Sequence, residues 1–344
     1  MVRNRKVFKK TVSIVNEKST DMYESLVGDK KGFLLESYDK NYDRYTFFGM
    51  EPEEIVTSRG NALVITKADG TEEVREGNPL ERLKEYYSEF HIEKEDEELS
   101  FSGGLVGNLG YDFVRYSEVL PDNNPDEIEI ETIQMMLMTS FLMVDHVAET
   151  LTAVVLEEPS EEGREQAMEK AGQMIKKAME KKECKRNFYH DGKIIKKSDS
   201  IEEYGEKVEK IKHYIREGHV FQTVLSQRWK IETRQTGFEL YKELRELNPS
   251  PYLYYFNYGT FEVIGSSPEM IVKKQGNKVF TCPIAGTRKR GKDEAEDKRL
   301  RDELLSDEKE RAEHVMLVDL ARNDMGRISE FGTVKVTQFM EVQN

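Results

Sequence analysis

Residues 307–324 read DEKERAEHVMLVDLARND, and this stretch carries the most structural information in the chain. Its apolar residues recur at the spacing of one helix face, which predicts a helix with a packed apolar side. Ser306 or Asp307 is placed to cap the first turn, and Asp307 with Glu310 makes a D-x-x-E capping box. Glu310, Glu313 and His314 then border the apolar face. A carboxylate held there by a rigid helix is suited to bind a metal ion; a solvated acidic face is the alternative.

Bulk composition limits the classes of protein to which the chain can belong. It has 344 residues, enough for one large or two ordinary domains. Its net charge is −14, from 66 acidic and 52 basic residues, which argues against nucleic acid or an anionic membrane as the main partner. The first residues form no apolar signal segment, and no apolar run reaches the roughly 18–20 residues that a membrane span needs.

Cysteine and histidine usage bears on the redox compartment and on metal chemistry. The two cysteines, Cys184 and Cys282, form no disulfide framework and are typical of a reducing cytoplasm. The six histidines include no H-x-H or H-E-x-x-H pair, which argues against a zinc site. A hard ion bound by carboxylates remains compatible with the sequence.

Hydrophobic periodicity and turn signals predict a mixed architecture. The predicted strands are 31–37 paired with 44–49, 63–65 paired with 73–74 across an Asp-Gly turn, one long strand at 133–145, a strand at 219–231, short strands between 252 and 280, and a strand-like segment at 333–342. The predicted helices are 80–90, 157–186, 201–217 and 307–324. Glycines in FSGGLVG at 101–107 indicate close backbone approach between layers. Runs of strands interrupted by helices favour an α+β fold.

The composition changes in the middle of the chain. Between residues 157 and 186, Glu, Lys, Ala and Met predominate, and the small apolar residues recur at helical spacing. This pattern is typical of an amphipathic helix with a charged outer face, followed by a Lys-rich connection. We therefore predict a domain boundary here, with one domain at 1–185 and a second at 186–344.

Two further segments place polar groups next to predicted strands. PIAGTR at 283–288 contains Gly286 and Thr287, which can offer backbone N–H groups and a hydroxyl to a carboxylate; an ordinary turn is the alternative. FQTVLSQR at 221–228 predicts polar side chains inside a strand, among them Gln222, where each needs a hydrogen-bond partner.

GSSPE at 265–269 places a single carboxylic acid, Glu269, directly after a proline-stiffened turn. If apolar neighbours bury this side chain, the neutral form is favoured and it can act as a general acid. A purely structural role is the alternative.

In their order along the chain, these segments resemble the chorismate-utilising enzymes, and most closely the large subunits of anthranilate synthase. The matching motifs are FLLES at 33–37, FSGGLVGNLGYDFVR at 101–115, FQTVLSQR at 221–228, NPSPY at 248–252, GSSPE at 265–269, PIAGTRKRG at 283–291 and the opening stretch at 307–324. Motifs that share a constant order are far more specific than any one alone. The resemblance implies an α+β fold of two packed β-sheets with outer helices.

The resemblance also implies a reaction and a set of site residues. Chorismate and ammonia would give anthranilate and pyruvate, the first step of tryptophan biosynthesis. Glu313 matches a ligand of the Mg²⁺ ion that holds the ring carboxylate, consistent with the preference of Mg²⁺ for hard oxygen ligands. Glu269 matches the acid that protonates the departing ring hydroxyl, and Gly286 and Thr287 match residues that bind the substrate carboxylate.

Two positions distinguish members of the family. Aminodeoxychorismate synthases resemble this sequence but often carry a lysine nucleophile at the position of Ala285. Enzymes that form isochorismate or salicylate usually place a lysine base at the position of Gln222, which cannot remove a proton. Anthranilate synthase is therefore the favoured interpretation, with aminodeoxychorismate synthase as the alternative.

The LLES motif at 34–37 resembles the family's tryptophan feedback pocket. Ser37 and the segment Pro251, Tyr252 and Leu253 occupy the matching positions, although family members often have methionine where Leu253 stands. Tryptophan is therefore an expected inhibitor. A non-catalytic fragment that binds tryptophan is a further alternative.

The sequence also bears on partners and completeness. Neither cysteine lies in a glycine-flanked elbow, so ammonia from glutamine is expected to come from a separate amidotransferase subunit. Similar proteins continue past the position of Asn344 through a catalytic histidine, substrate-binding Tyr and Arg residues and a second magnesium glutamate. The resemblance implies that this C-terminal part is missing here, and little or no anthranilate synthase activity is expected of the chain alone.

Overall fold

The chain is described by a computed structural model that covers residues 2–15, 17–37, 44–93, 99, 101–180, 189 and 191–343. The helices in these ranges are α1 (Ser19–Leu26), α2 (Pro79–Ser88), α3 (Glu161–Ala178), α4 (Ile201–Arg216), α5 (Gly237–Leu247), α6 (Glu294–Ser306) and α7 (Glu308–Gly326), with a 3-10 helix at Tyr111–Tyr116. None of these helices is long and apolar enough to cross a membrane.

The strands of the described ranges form two large sheets and two small hairpins. They are β1 (Arg3–Ser13), β2 (Gly32–Glu36), β3 (Tyr45–Met50), β4 (Glu54–Ser58), β5 (Ala62–Lys67), β6 (Glu72–Glu76), β7 (Phe90–Glu93), β8 (Gly104–Leu109), β9 (Ile133–Met138), β10 (Ser140–Asp145), β11 (Thr150–Glu157), β12 (Lys193–Lys197), β13 (Trp229–Glu232), β14 (Tyr252–Asn257), β15 (Glu262–Ser267), β16 (Lys273–Gln275) and β17 (Lys278–Phe280).

The larger sheet has eight strands in the order β15-β14-β2-β3-β10-β11-β1-β7, and the second has five in the order β6-β5-β4-β9-β8. All neighbours are antiparallel except β1 and β7, which are parallel. The hairpins are β12-β13 and β16-β17. The predicted α+β fold with two packed sheets is therefore confirmed.

The core lies in layers on both faces of the larger sheet. Consecutive side chains of a strand point to opposite faces, so Phe33 packs toward the second sheet and Leu34 toward the helices. The helical layer comprises α1, α3 and α5, and the far face of the second sheet is covered by α2 through Tyr86. The two large sheets and the helices packed on them, here called the N-terminal body, thus bury apolar core between the sheets and between sheets and helices.

Helix α3 shows how the sequence produces this helical layer. Ser160 caps the first turn by accepting the Gly163 amide at 3.0 Å. Ala167, Ala171 and Ile175, spaced four residues apart, are buried against the sheet. The small alanine side chains let the helix approach the strands closely.

Many predicted elements are confirmed, and three are wrong. The pairs β2-β3, β5-β6 and β14-β15 and the helices α2, α3, α4 and α7 lie where periodicity and turn residues place them. The run 133–145 is two strands, because the chain passes from the second sheet to the larger one at Thr139. The region 219–231 forms a strand only at β13, and 333–342 contains no regular element.

The C-terminal half is joined to the N-terminal half by strand pairing. β14 hydrogen-bonds to β2, with Leu253 opposite Glu36, so the larger sheet includes strands from both sides of residue 185. The proposed division into 1–185 and 186–344 remains a prediction.

The part that follows β15 has a different character. Among the described residues, none after Gly265 is buried, so α6 and α7 have no buried residue. The same holds for α4, which lies earlier in the chain. The expectation that α7 packs its apolar side is therefore wrong within this chain. The helices of this part are held by caps and ion pairs, not by an apolar core.

Candidate active site

Helix α7 begins at the N-cap that its sequence predicts. Asp307 accepts the backbone amides of Lys309 at 3.0 Å and Glu310 at 3.2 Å. These amides, Glu310 first, together with the nearby Arg288 guanidinium, lower the pKa of Asp307 below its ordinary value, outweighing partial desolvation. The cap fixes where the helix starts and hence which side Glu310 and Glu313 occupy.

Glu313 is in contact with a residue far away in sequence. The side-chain amide of Gln222 donates to Glu313 Oε1 at 3.0 Å across 91 positions. Gln222 lies in an extended segment and is exposed, so the prediction that 221–228 buries its polar side chains in a strand is wrong. The convergence of two predicted site residues is nevertheless present.

The turn that carries Gly286 and Thr287 packs against the start of α7. A Cβ atom at Gly286 would lie 2.8 Å from both Glu310 Oε2 and Leu304 Cδ1. Glu310 precedes Glu313 by three residues, so the two carboxylates lie on neighbouring positions of one helix face. Thr287 is exposed beside this contact.

Glu269 belongs to the same region through the backbone. Its Oε1 accepts the Ile284 amide at 3.3 Å, and its own amide donates to Ser267 Oγ at 3.3 Å. The side chain is exposed, so the burial that would favour its neutral form is not provided by the described residues. Ile284 precedes Gly286 by two positions, which links Glu269 to the turn.

The four segments therefore form one connected surface. Gln222 contacts Glu313, the turn at Gly286 contacts Glu310 one helical turn earlier, and Glu269 contacts the start of that turn. A separate cleft of about 480 Å³, lined in part by Arg3 and Ser160, lies at the start of β1, away from these residues.

The carboxylates of this surface can be matched to Mg²⁺, which takes one or two protein carboxylates and completes its coordination shell with water and substrate oxygens. In the described part of the chain, no group of three or more His, Cys, Asp or Glu side chains is arranged to hold a metal. Glu313, with Glu310 near it, fits as a single-carboxylate contribution.

The predicted tryptophan-site residues also lie together. Leu253 is buried and pairs with Glu36, which places Pro251 and Tyr252 beside the end of β2, where Ser37 follows. Ser37 Oγ is buried and has no hydrogen-bond partner among the described residues. An unsatisfied buried hydroxyl is costly, and a polar ligand would satisfy it.

A hydrogen-bond cluster connects this region to the segment that carries Glu269. Ser266 Oγ donates to the Asn248 carbonyl at 2.7 Å and contacts Ser250 Oγ at 3.0 Å. Tyr252 also lies opposite Ser267 in the β14-β15 pair. The NPSPY and GSSPE motifs are thus adjacent in space.

Two residues of these regions were missed from sequence alone. Glu36 is buried and accepts hydrogen bonds from Ser19, from Tyr241 at 2.6 Å and from Arg245 at 3.0 Å. The sequence feature that could have indicated it is a charged residue at the end of an apolar strand, because a glutamate buried there needs hydrogen-bond partners. Arg288, next to Thr287, bonds two carboxylates and had no comparable signal.

Comparison with known proteins identifies the family. A family model described as chorismate binding enzyme matches residues 32–344. Anthranilate synthase component 1 of Acetivibrio thermocellus is 40% identical over 324 residues, covering 90% of this chain and 65% of that protein. The same component from Aquifex aeolicus is 39% identical over 322 residues, covering 90% and 64%.

A solved structure agrees with these sequence matches. Anthranilate synthase component I from Streptococcus pneumoniae TIGR4 superposes with a TM-score of 0.74 at 34% identity, covering 88% of this chain and 66% of that one. The chain thus spans about 65% of the length of the first of these relatives. On the family match and these similarities, the chain belongs to the chorismate binding enzyme family.

Proposed function

We propose that this chain provides the chorismate-binding surface of an anthranilate synthase large subunit, which converts chorismate and ammonia to anthranilate and pyruvate. The observation that carries the proposal is the convergence of Gln222 on Glu313 beside the Gly286 turn. These residues come from three distant segments and bring carboxylates, an amide and a closely packed glycine turn to one surface. The similarity to proteins named anthranilate synthase component 1 supports the choice of reaction.

Each residue has a role that its surroundings support. The lack of a side chain at Gly286 lets its turn pack directly against Glu310 and Leu304, and the exposed Thr287 hydroxyl beside this contact can donate to a substrate carboxylate. The Gln222 amide holds one oxygen of Glu313 and so orients the other. Glu313 would hold Mg²⁺, which would supply positive charge to neutralise and orient the ring carboxylate of chorismate.

Glu269 is the proposed general acid. Its carboxyl proton would pass to the ring hydroxyl, which leaves as water while ammonia adds to the ring. Loss of pyruvate then restores aromaticity. In the described chain Glu269 Oε1 is held only by the Ile284 amide, so the side chain is free to face a substrate on the Gly286 turn.

The absence of an amine at two positions favours ammonia as the nucleophile. Ala285 cannot attack the ring covalently, and Gln222 cannot act as a base that activates water. Cys282 is exposed in the same turn region, and Cys184 lies outside the described residues. Ammonia is therefore proposed to come from a glutamine amidotransferase partner.

We also propose that tryptophan binds beside Ser37 and the Pro251–Leu253 segment and acts as an inhibitor. The buried Ser37 hydroxyl, which has no hydrogen-bond partner within the described ranges, supports a polar ligand there, and the hydrogen bonds of Ser266 support communication with the Glu269 segment. Calorimetric titration with tryptophan should show binding that Ser37→Ala weakens. Tryptophan binding without chorismate binding would favour a non-catalytic role instead.

Chorismate titration with and without Mg²⁺ tests the main proposal. We expect magnesium-dependent binding that Glu313→Gln weakens at least about tenfold, because a single charge-assisted ligand is lost. Glu308→Gln, an exposed substitution on the first turn of the same helix, should change the affinity by less than about twofold. Equal affinities for wild type and Glu313→Gln would reject the proposed ligand.

Turnover is a separate question from binding. The open surface and the single well-placed carboxylate support our proposal that the chain alone has little or no activity. Incubation with chorismate, Mg²⁺ and ammonium should produce almost no anthranilate fluorescence. Measurable turnover that Glu269→Gln abolishes would contradict the expected inactivity while supporting the role of Glu269.

A further inference from the structure

Arg288 joins three elements at the candidate site. Its Nε donates to Glu303 at 3.0 Å in α6, and its Nη2 donates to Asp307 at 2.9 Å at the start of α7. About a quarter of the Arg288 side chain is exposed, less than for Glu303 or Asp307. A guanidinium has a planar fork of donors, so two simultaneous carboxylate bonds fix its orientation.

Asp307 is itself fixed by a second set of bonds. Its Oδ1 accepts the amides of Lys309 and Glu310, while its Oδ2 accepts Arg288. The carboxylate therefore connects the guanidinium directly to the first turn of α7. Any displacement of Arg288 also displaces the turn formed by residues 283–288 relative to this helix.

The groups held in this way are those of the proposed substrate site. Gly286 precedes Arg288 by two residues and packs on Glu310, and Glu313 follows one helical turn later. We propose that Arg288 is a positioning residue that sets the separation between the carboxylate-binding turn, Gly286 and Thr287, and the magnesium ligand Glu313. This inference rests on the proposed function, because it assumes that both groups contact one substrate.

The test combines ligand binding with hydrogen exchange on the full chain. Arg288→Gln should weaken magnesium-dependent chorismate binding about tenfold, because the turn and Glu313 would no longer be preorganised to contact one substrate. Higher Mg²⁺ concentrations should recover only part of the loss. Arg288→Lys, which keeps the charge but lacks the fork, should recover binding partially.

Arg290→Gln provides the matched control. Arg290 lies two residues on and bonds Asp297 at 3.0 Å, but its side chain is well exposed and it does not contact α7. Its loss should leave chorismate affinity within about twofold, as for other surface ion pairs. Circular dichroism of every variant checks that helix content is unchanged.

Hydrogen exchange separates failure of this inference from failure of the proposed function. Arg288→Gln should accelerate exchange at the Lys309 and Glu310 amides, and Arg290→Gln should not. If the wild-type chain binds no chorismate, the proposed function is rejected, and faster exchange in Arg288→Gln still supports the positioning contact. If wild type binds and Arg288→Gln binds equally well, or if exchange is unchanged, the positioning role is overturned.

Discussion

Glu36 is a charged side chain at the end of an apolar strand, and the donors around it explain how its charge is tolerated. Ser19 and Tyr241 donate hydroxyl hydrogen bonds to its two oxygens, and Arg245 supplies the opposite charge. A buried carboxylate is stable only when its lone pairs are satisfied in this way. The same three donors tie α1 and α5 to β2.

Replacing Glu36 with glutamine should therefore destabilise the fold. The amide keeps the shape but loses the charge and turns an NH₂ group toward donors, which should cost about 2 kcal/mol. Urea denaturation followed by circular dichroism measures this change. Glu51→Gln, which alters an exposed pair with Lys30, should cost less than about 0.5 kcal/mol. Equal stabilities for the two variants would contradict the role of Glu36.

At the scale of elements, glycines show where backbone approach matters and where it does not. Gly107 lies in β8, and a Cβ atom there would be 2.1 Å from the Gln134 carbonyl oxygen in β9. Gly205 lies inside α4, and a Cβ atom there would meet nothing within 4 Å. The glycine-rich 101–107 segment was expected to allow close approach between layers, whereas the close backbone approach at Gly107 is between neighbouring strands of one sheet.

The same substitution at these two glycines should have opposite effects. Gly205→Ala should stabilise α4 locally by roughly 0.5–1 kcal/mol, since alanine is the better helix former, and slow the exchange of its amides. Gly107→Ala meets backbone that cannot rotate away and should destabilise the chain by about 1–3 kcal/mol in urea denaturation. Destabilisation of α4 in the first variant would show that Gly205 has an unrecognised contact.

At the scale of the whole molecule, the N-terminal body and the C-terminal part differ in how they exclude water. Buried tyrosines belong to the body, where Tyr23, Tyr241 and Tyr255 surround Phe238. Several large apolar side chains outside this body are exposed, including Phe221, Val224, Ile271, Leu320, Ile328 and Phe331. Exposed apolar patches of this kind mark surfaces that bind other molecules.

Stability should fall at alkaline pH because of the buried tyrosines. Burial raises the pKa of Tyr23, Tyr86, Tyr241 and Tyr255 well above the ordinary 10.0. Their contribution is complete below pH 10 and is lost as the pH rises beyond it, since only the unfolded chain ionises easily there. Ultraviolet titration should show the tyrosinate of these four residues forming together with unfolding. Full titration of these tyrosines in a folded chain would contradict this.

The exposed apolar surface predicts dye binding by the folded chain. Anilinonaphthalene sulfonate should fluoresce with the native protein at neutral pH, where near-ultraviolet circular dichroism shows that the body is folded. Substituting Phe331 and Ile271 with serine should reduce the signal without changing the stability of the body. A native chain without dye fluorescence would indicate that these side chains are covered in solution.

Much of the fold and part of the candidate site follow from local sequence signals. Turn residues and alternation predicted β2-β3, β5-β6 and β14-β15, and helical spacing with caps predicted α3, α4 and α7. The Asp307 cap was predicted correctly because it depends on residues within one turn. Family motifs then indicated Glu269, Gln222, Glu313 and the Gly286 turn before any contact between them was known.

Strand partners and long-range contacts were not accessible in this way. A buried strand has the same apolar pattern in either sheet. The passage of the chain from the second sheet to the larger one at Thr139 could therefore not be predicted from residues 133–145. The segment 219–231 resembles a strand in sequence, but a strand forms only where a partner supplies hydrogen bonds. Here this happens only at β13, which pairs with β12.

By itself, the sequence determined local periodicity, caps, turns and the family of this protein. Only the tertiary structure decided that β14 joins β2, that Gln222 reaches Glu313, and that Arg288 connects α6 with α7. The physical reason is range: local signals depend on neighbouring residues, whereas these contacts require closing long loops, and the free energy that repays closure comes from partners elsewhere in the chain.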